Sequence, residues 1–85
     1  MKNPHHDKPD QIAQSLDLCG LQCPMPLLKT KLALNQLAAG DCLAVWTSDR
    51  GSMRDIPAFI AQTSHQLLSS LEQDKKFYFL IRKAG

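Results

Sequence analysis

Two hydrophobic periods alternate along this chain. Residues 14–19 place Leu16 and Leu18 on one side and Asp17 on the other, the period of a short strand. Gly20 then permits a turn. From Pro24 to about Ala39 the period becomes helical. Leu27, Leu34 and Ala38 share one stripe, and Leu28, Leu32 and Ala39 share its neighbour. Gly40 stands where a helix C-terminal cap belongs. Cys42-Leu43-Ala44-Val45-Trp46-Thr47 is a near-continuous apolar run, which fits a strand covered on at least one face.

Ser48-Asp49-Arg50-Gly51 reads as a loop, and a second helix starts between Ser52 and Asp55. Ser52 with Asp55 resembles a capping box, but Pro57 favours Asp55 as the cap because it then falls in the first turn. Ile56, Phe59, Ile60 and Thr63 follow helical spacing, and the helix is expected to end near His65. Residues 66–73 and 76–83 read as a third and a fourth strand joined by a short hairpin connection. Phe77, Phe79 and Ile81 alternate with Tyr78, Leu80 and Arg82. The order is βαβαββ.

A strand-helix-strand unit within one sheet is normally parallel, with the helix returning across the sheet face. Both helix N-termini then lie beyond the carboxyl ends of the preceding strands. Open α/β sheets bind ligands at that edge. There the sequence offers Leu21-Gln22-Cys23-Pro24-Met25-Pro26. Proline is tolerated in a first helical turn, where N–H groups lack intrahelical partners. Pro24 and Pro26 therefore read as first-turn residues and Cys23 as the N-cap. The positive end of the helix dipole would favour its thiolate.

The same edge receives residues 49–55. Arg50 and Arg54 could stabilise an anionic sulfur. Asp49 and Asp55 would oppose it unless occupied in capping or in pairing with those arginines. Leu21 and Met25 are expected to form an apolar contact around the sulfur, ringed by Arg50, Arg54 and Lys29. Cys42 falls at the far edge and reads as structural. Cys19, at the end of the first strand, reads as core.

Composition narrows the chemistry. The chain has 85 residues, enough for one domain, with 44% hydrophobic and 21% charged residues. A net charge of +2, one Trp, one Tyr and three Phe give no basis for direct nucleic-acid binding. No apolar run approaches the roughly 20 residues of a membrane span. No signal-peptide pattern opens the chain, so a cytoplasmic location is expected. The three cysteines cannot all pair within one chain, and no Cys/His set has zinc spacing. Residues 1–13 are polar and carry Pro4 and Pro9, the composition of a flexible N-terminal tail, with His5 and His6 as solvated tail residues. Residues 14–85 form the expected domain.

Leu16-Asp17, Gly20-Leu21, Cys23-Pro24-Met25-Pro26, Arg54-Asp55-Ile56-Pro57 with Phe59, and Phe79-Leu80-Ile81-Arg82-Lys83 together resemble the TusA family of small sulfur carriers, also called SirA-like or YedF-like. The resemblance runs from about Leu16 to Gly85. It implies an α+β fold: a two-layer α/β sandwich with a mixed four-stranded sheet and two helices. It also implies that Cys23 accepts a sulfane sulfur as a persulfide and hands it on. Pro24 and Pro26 would shape the helix start, and Asp55-Ile56-Pro57 would form the adjacent rim.

The implied partners are a cysteine desulfurase or other persulfide donor and a downstream acceptor protein, in one branch a relay that thiolates tRNA. No metal or organic cofactor, membrane or direct nucleic-acid contact is implied, and a monomer is expected. Two other readings of the residues stand beside this one. In a thiol redox sensor, Cys19 would resolve an oxidised Cys23. In a non-catalytic interaction module, a Cys23→Ser variant would keep its function.

Overall fold

The computed structural model describes residues 12–84, which build β1 (Ile12–Leu18), α1 (Met25–Asn35), β2 (Cys42–Thr47), α2 (Ser52–Ala61), β3 (Gln66–Gln73) and β4 (Lys76–Arg82). The strands form one sheet in the order β1-β2-β4-β3. β1 pairs with β2 in parallel, and β4 pairs antiparallel with both β2 and β3. This is the expected mixed α+β sandwich. β1 begins at Ile12 rather than Gln14. The rest of the expected tail, with His5 and His6, lies outside the described residues.

Strand alternation sorts the side chains into two sets. Leu18, Leu43, Val45, Phe77, Phe79 and Ile81 join Ala33 and Leu34 of α1 and Ile56 and Ile60 of α2 in the main core. Burying each of the larger side chains stabilises the fold by about 1.5–3 kcal/mol. On the opposite face Cys42, Ala44 and Leu80 form a smaller buried cluster with Tyr78 packed against it. Cys42 is thus structural, as its position at the far edge implies. Trp46 shares this face, its ring centroid 4.7 Å from that of Tyr78.

Both helices are shorter than their patterns suggest. α1 stops at Asn35 with Gln36 as its cap, not at Ala39. The Lys83 side chain donates to the Leu34 carbonyl and satisfies a helix-end acceptor. Residues 38–41 instead form a turn: the Ala38 N–H donates to the Asp41 carboxylate at 3.0 Å, and Gly40 takes φ +89°. Gly40 therefore serves that turn and not the helix cap.

The stripe of Leu28, Leu32 and Ala39 is exposed. The buried residues of α1 are Pro26, Thr30, Ala33 and Leu34. Thr30 is hidden because its hydroxyl donates to the Pro26 carbonyl at 2.8 Å, leaving its methyl group for packing.

α2 starts at Ser52 with Gly51 as its cap, so Asp55 is a first-turn residue and not the cap. Backbone groups close that turn: the N–H groups of Arg54 and Asp55 both donate to the Gly51 carbonyl, at 3.1 and 2.9 Å. Pro57 consequently lies inside the helix. α2 ends at Ala61 rather than near His65. The Thr63 hydroxyl donates to the Ile60 carbonyl at 2.8 Å and accepts the His65 N–H at 3.1 Å, turning the chain out of the helix.

Candidate functional site

The segment before α1 meets the first turn of α2 at Cys23. Its N-cap expectation requires correction. Pro24 is the N-cap, Pro26 lies in the first turn, and Cys23 stands one residue outside the helix. A proline at the cap removes one N–H, and the Met25 N–H is already spent on the Gln22 carbonyl at 2.8 Å. Cys23 is therefore exposed and positioned ahead of α1, without the direct N-cap geometry.

The partner of the sulfur is a carboxylate. Cys23 Sγ–H donates to Asp55 Oδ2 at 3.4 Å. This contact holds the thiol pKa above its ordinary value. Partial desolvation and the negative charges of Asp55 and Asp49 act in the same direction, and Arg54 opposes them. The expected resting thiolate is thus overturned: the hydrogen bond favours the protonated form.

The arginines explain the rest of the balance. Arg54 Nε reaches Asp55 Oδ1 at 3.3 Å, so one carboxylate receives the thiol on one oxygen and a guanidinium on the other. Arg50 is turned away from the sulfur. It lies over the Phe77 ring at 5.7 Å and reaches Glu72 at 3.9 Å. Asp49 Oδ2 stands 3.1 Å, and Asp55 Oδ2 3.8 Å, from where a Cβ on residue 51 would be. Gly51 therefore lets the loop carboxylate crowd the start of α2.

Leu21, Met25 and Lys29, the other residues expected around the sulfur, lie close to Cys23 in the chain. Leu21 is half-buried and packs against the core. Met25 is exposed, and its stripe continues along α1 through Leu28 and Leu32, which are 43% and 58% exposed. Lys29 is exposed on the same helix. Sequence reasoning did not single out Leu28 and Leu32 as surface residues. Their signal was the excess width of the apolar face, more than one sheet can cover.

Cys19 is not core. It is half-buried and lines a cavity of about 370 Å³ with Asp17, Trp46, Gln73, Asp74 and Lys76, on the sheet face away from the helices. The Asp17 carboxylate accepts the Cys19 backbone N–H at 3.1 Å. Asp17 was not singled out in the sequence as the residue that receives the Cys19 N–H. An aspartate two positions before a turn residue is a legible turn signal.

Among the described residues no cluster of His, Cys, Asp or Glu could hold a metal ion. Among them too, no helix is long and apolar enough to cross a membrane.

The architecture defines a class: a small two-layer α+β domain that presents one exposed thiol where its two helix starts converge. The chain belongs to the TusA sulfurtransferase family, whose model matches residues 14–83. It is 45% identical over 71 residues to the sulfur carrier protein TusA of Allochromatium vinosum, a match covering 84% of this chain and 93% of that one. Its fold is similar to the crystal structure of a SirA-like protein from Desulfitobacterium hafniense. There the TM-score is 0.74 and the identity 22%, with 85% of this chain and 99% of the other covered.

Proposed function

We propose that this chain is a cytoplasmic persulfide sulfurtransferase in which Cys23 takes a sulfane sulfur from a donor protein and delivers it to an acceptor protein. The observation that carries this reading is the exposed Cys23 sulfur held by Asp55 Oδ2 at 3.4 Å, with an open apolar stripe beginning at Met25. An exposed thiol with so little wall around it suits protein-to-protein exchange better than a small-molecule reaction, which needs an enclosing pocket.

In the accepting step, Cys23 loses its proton and the sulfur attacks the outer sulfur of a donor R–S–SH. A new S–S bond forms, the donor S–S bond breaks, and the donor leaves as a thiolate that collects the proton. Sulfane sulfur moves without net oxidation. Asp55 is placed to accept the thiol proton and orient the lone pair. In the delivering step an acceptor thiolate attacks the outer sulfur of Cys23–S–SH, and Cys23 is reprotonated beside Asp55.

A thiol with raised pKa is the stronger nucleophile and the poorer leaving group once ionised. A raised pKa also leaves less thiolate present, so acceptance draws on Asp55 taking the proton and delivery on the acceptor's own acidity. The donor in this reading is a cysteine desulfurase or another persulfide protein. The acceptor is the next thiol of a sulfur relay, in one family branch a relay ending on tRNA. Met25, Leu28 and Leu32 supply apolar contact, with Lys29 and Arg54 at the rim.

The test is to incubate the protein with a cysteine desulfurase and cysteine carrying labelled sulfur. Label that is released by reductant should appear on the parent chain and on Cys19→Ser and Cys42→Ser, and be absent from Cys23→Ser. Equal labelling of Cys23→Ser would end the proposal.

A further inference from the structure

Cys19 lies four positions before Cys23 in the chain. For a protein carrying a persulfide, a second thiol so close is a hazard. If the Cys19 sulfur reaches the inner sulfur of Cys23–S–SH, a Cys19–Cys23 disulfide forms and the outer sulfur leaves as hydrosulfide. One thiol and one persulfide thus become one disulfide and one molecule of hydrogen sulfide, which carries off the Cys19 thiol proton. The two cysteine sulfurs are oxidised, the sulfane sulfur is reduced, and no outside oxidant is needed. The transferable atom is lost.

Three features of the structure oppose this reaction. The Asp17 carboxylate holds Cys19 by its backbone N–H at 3.1 Å, beside the cavity that both residues line with Trp46 and Lys76. That cavity is on the sheet face away from the helices. The Cys23 sulfur is held by Asp55 in the helical layer. The turn between them is fixed as well. Gly20 takes φ +91°, its N–H donates to Ser48 Oγ at 2.7 Å, and the Leu21 N–H donates to the Leu18 carbonyl at 3.2 Å.

We propose that Asp17 and Ser48 are positioning residues that keep Cys19 across the end of β1 from Cys23, so that a persulfide on Cys23 passes to a partner and is not discharged within the chain. This inference rests on the sulfur-carrier reading of Cys23. Partial burial, and after it the neighbouring Asp17 carboxylate, hold the Cys19 thiol above its ordinary pKa, so less of the attacking thiolate is present. Lys76 opposes this shift.

The experiment loads the parent, Asp17→Ala and Ser48→Ala chains with sulfur, removes the donor, and follows hydrosulfide release together with intact mass. Both variants should release hydrosulfide roughly fivefold faster than the parent, the scale of one lost exposed hydrogen bond, and should accumulate the Cys19–Cys23 disulfide. Adding Cys19→Ser to either variant should restore the parental rate. Release at the parental rate in both single variants overturns the proposal. So does faster release that persists in the Cys19→Ser background, because it would then come from a general loosening of the fold.

A second arm needs no loading. In a glutathione redox buffer, both single variants should form the Cys19–Cys23 disulfide at a several-fold lower glutathione disulfide to glutathione ratio than the parent. An unchanged ratio overturns the proposal. If Cys23 takes up no sulfur at all, the carrier reading fails while this arm still decides whether Asp17 and Ser48 hold the two thiols apart.

Discussion

The Cys23 thiol donates to Asp55 Oδ2 across 3.4 Å, joining the segment before α1 to the first turn of α2. The contact replaces the helix-dipole stabilisation that a cysteine at the cap itself would receive. It turns a thiolate-favouring position into a thiol-favouring one. The chemistry at rest is therefore set by a side chain 32 residues away, not by the adjacent prolines.

This arrangement predicts a displaced pH profile. Alkylation of Cys23 in a Cys19→Ser background should rise through a window above the ordinary thiol value of about 8.5. Asp55→Ala removes the acceptor and its charge, so the window should move down. The sign for stability follows from linkage. The folded pKa is raised, so the thiol–carboxylate contribution is fully present below the unfolded thiol pKa and is lost as pH rises through the folded one. Coincident profiles for the two proteins would remove Asp55 from the mechanism.

Leu34 is 1% exposed and lies in the main core against the sheet. Leu34→Ala should cost about 2–5 kcal/mol in denaturant unfolding, combining lost burial with a residual cavity. A loss below about 1 kcal/mol would show that α1 packs more loosely than its burial implies.

Ser52 Oγ is buried at the start of α2 and has no hydrogen-bond partner among the described residues. A buried hydroxyl without a partner is destabilising. Ser52→Ala should therefore leave stability unchanged or raise it by up to about 1 kcal/mol. A clear fall in the unfolding midpoint would show that the hydroxyl is satisfied in solution.

The order of elements along the chain was legible because period-2 alternation in Phe77 to Arg82 and the apolar run at Cys42 to Thr47 have few other interpretations, whereas the two-layer sandwich came from the family resemblance and the sheet order β1-β2-β4-β3 only from the fold. Cys23 was legible because prolines mark a helix start. The helix ends were less so. Ala38 and Ala39 continue the apolar pattern of α1, but the Asp41 carboxylate captures the Ala38 N–H and the chain turns first.

The depth of the stripes on α1 was hidden because Thr30 buries its methyl group behind a bond to the Pro26 carbonyl, which hydrophobicity alone does not reveal. The electrostatics of the sulfur were hidden for another reason. Four charged residues arrive at one edge in the sequence, and only the fold decides that Asp55 touches Cys23 while Arg50 turns to Glu72 and Phe77.

The exposed stripe on α1 gives the last prediction. Met25, Leu28 and Leu32 are spaced to share a helix face, and they are 39%, 43% and 58% exposed. Leu28→Asp removes apolar surface without opening the core, so stability should change by no more than about 0.5 kcal/mol. If a donor protein docks on this stripe, sulfur uptake from it should slow roughly tenfold, the equivalent of about 1.4 kcal/mol of lost contact. A small-molecule persulfide needs no docking surface and should load the parent and Leu28→Asp at the same rate. Slowing with both donors would place the effect in the chemistry of Cys23. Slowing with neither would move the docking surface off α1, toward the Asp49 to Arg54 side of the sulfur.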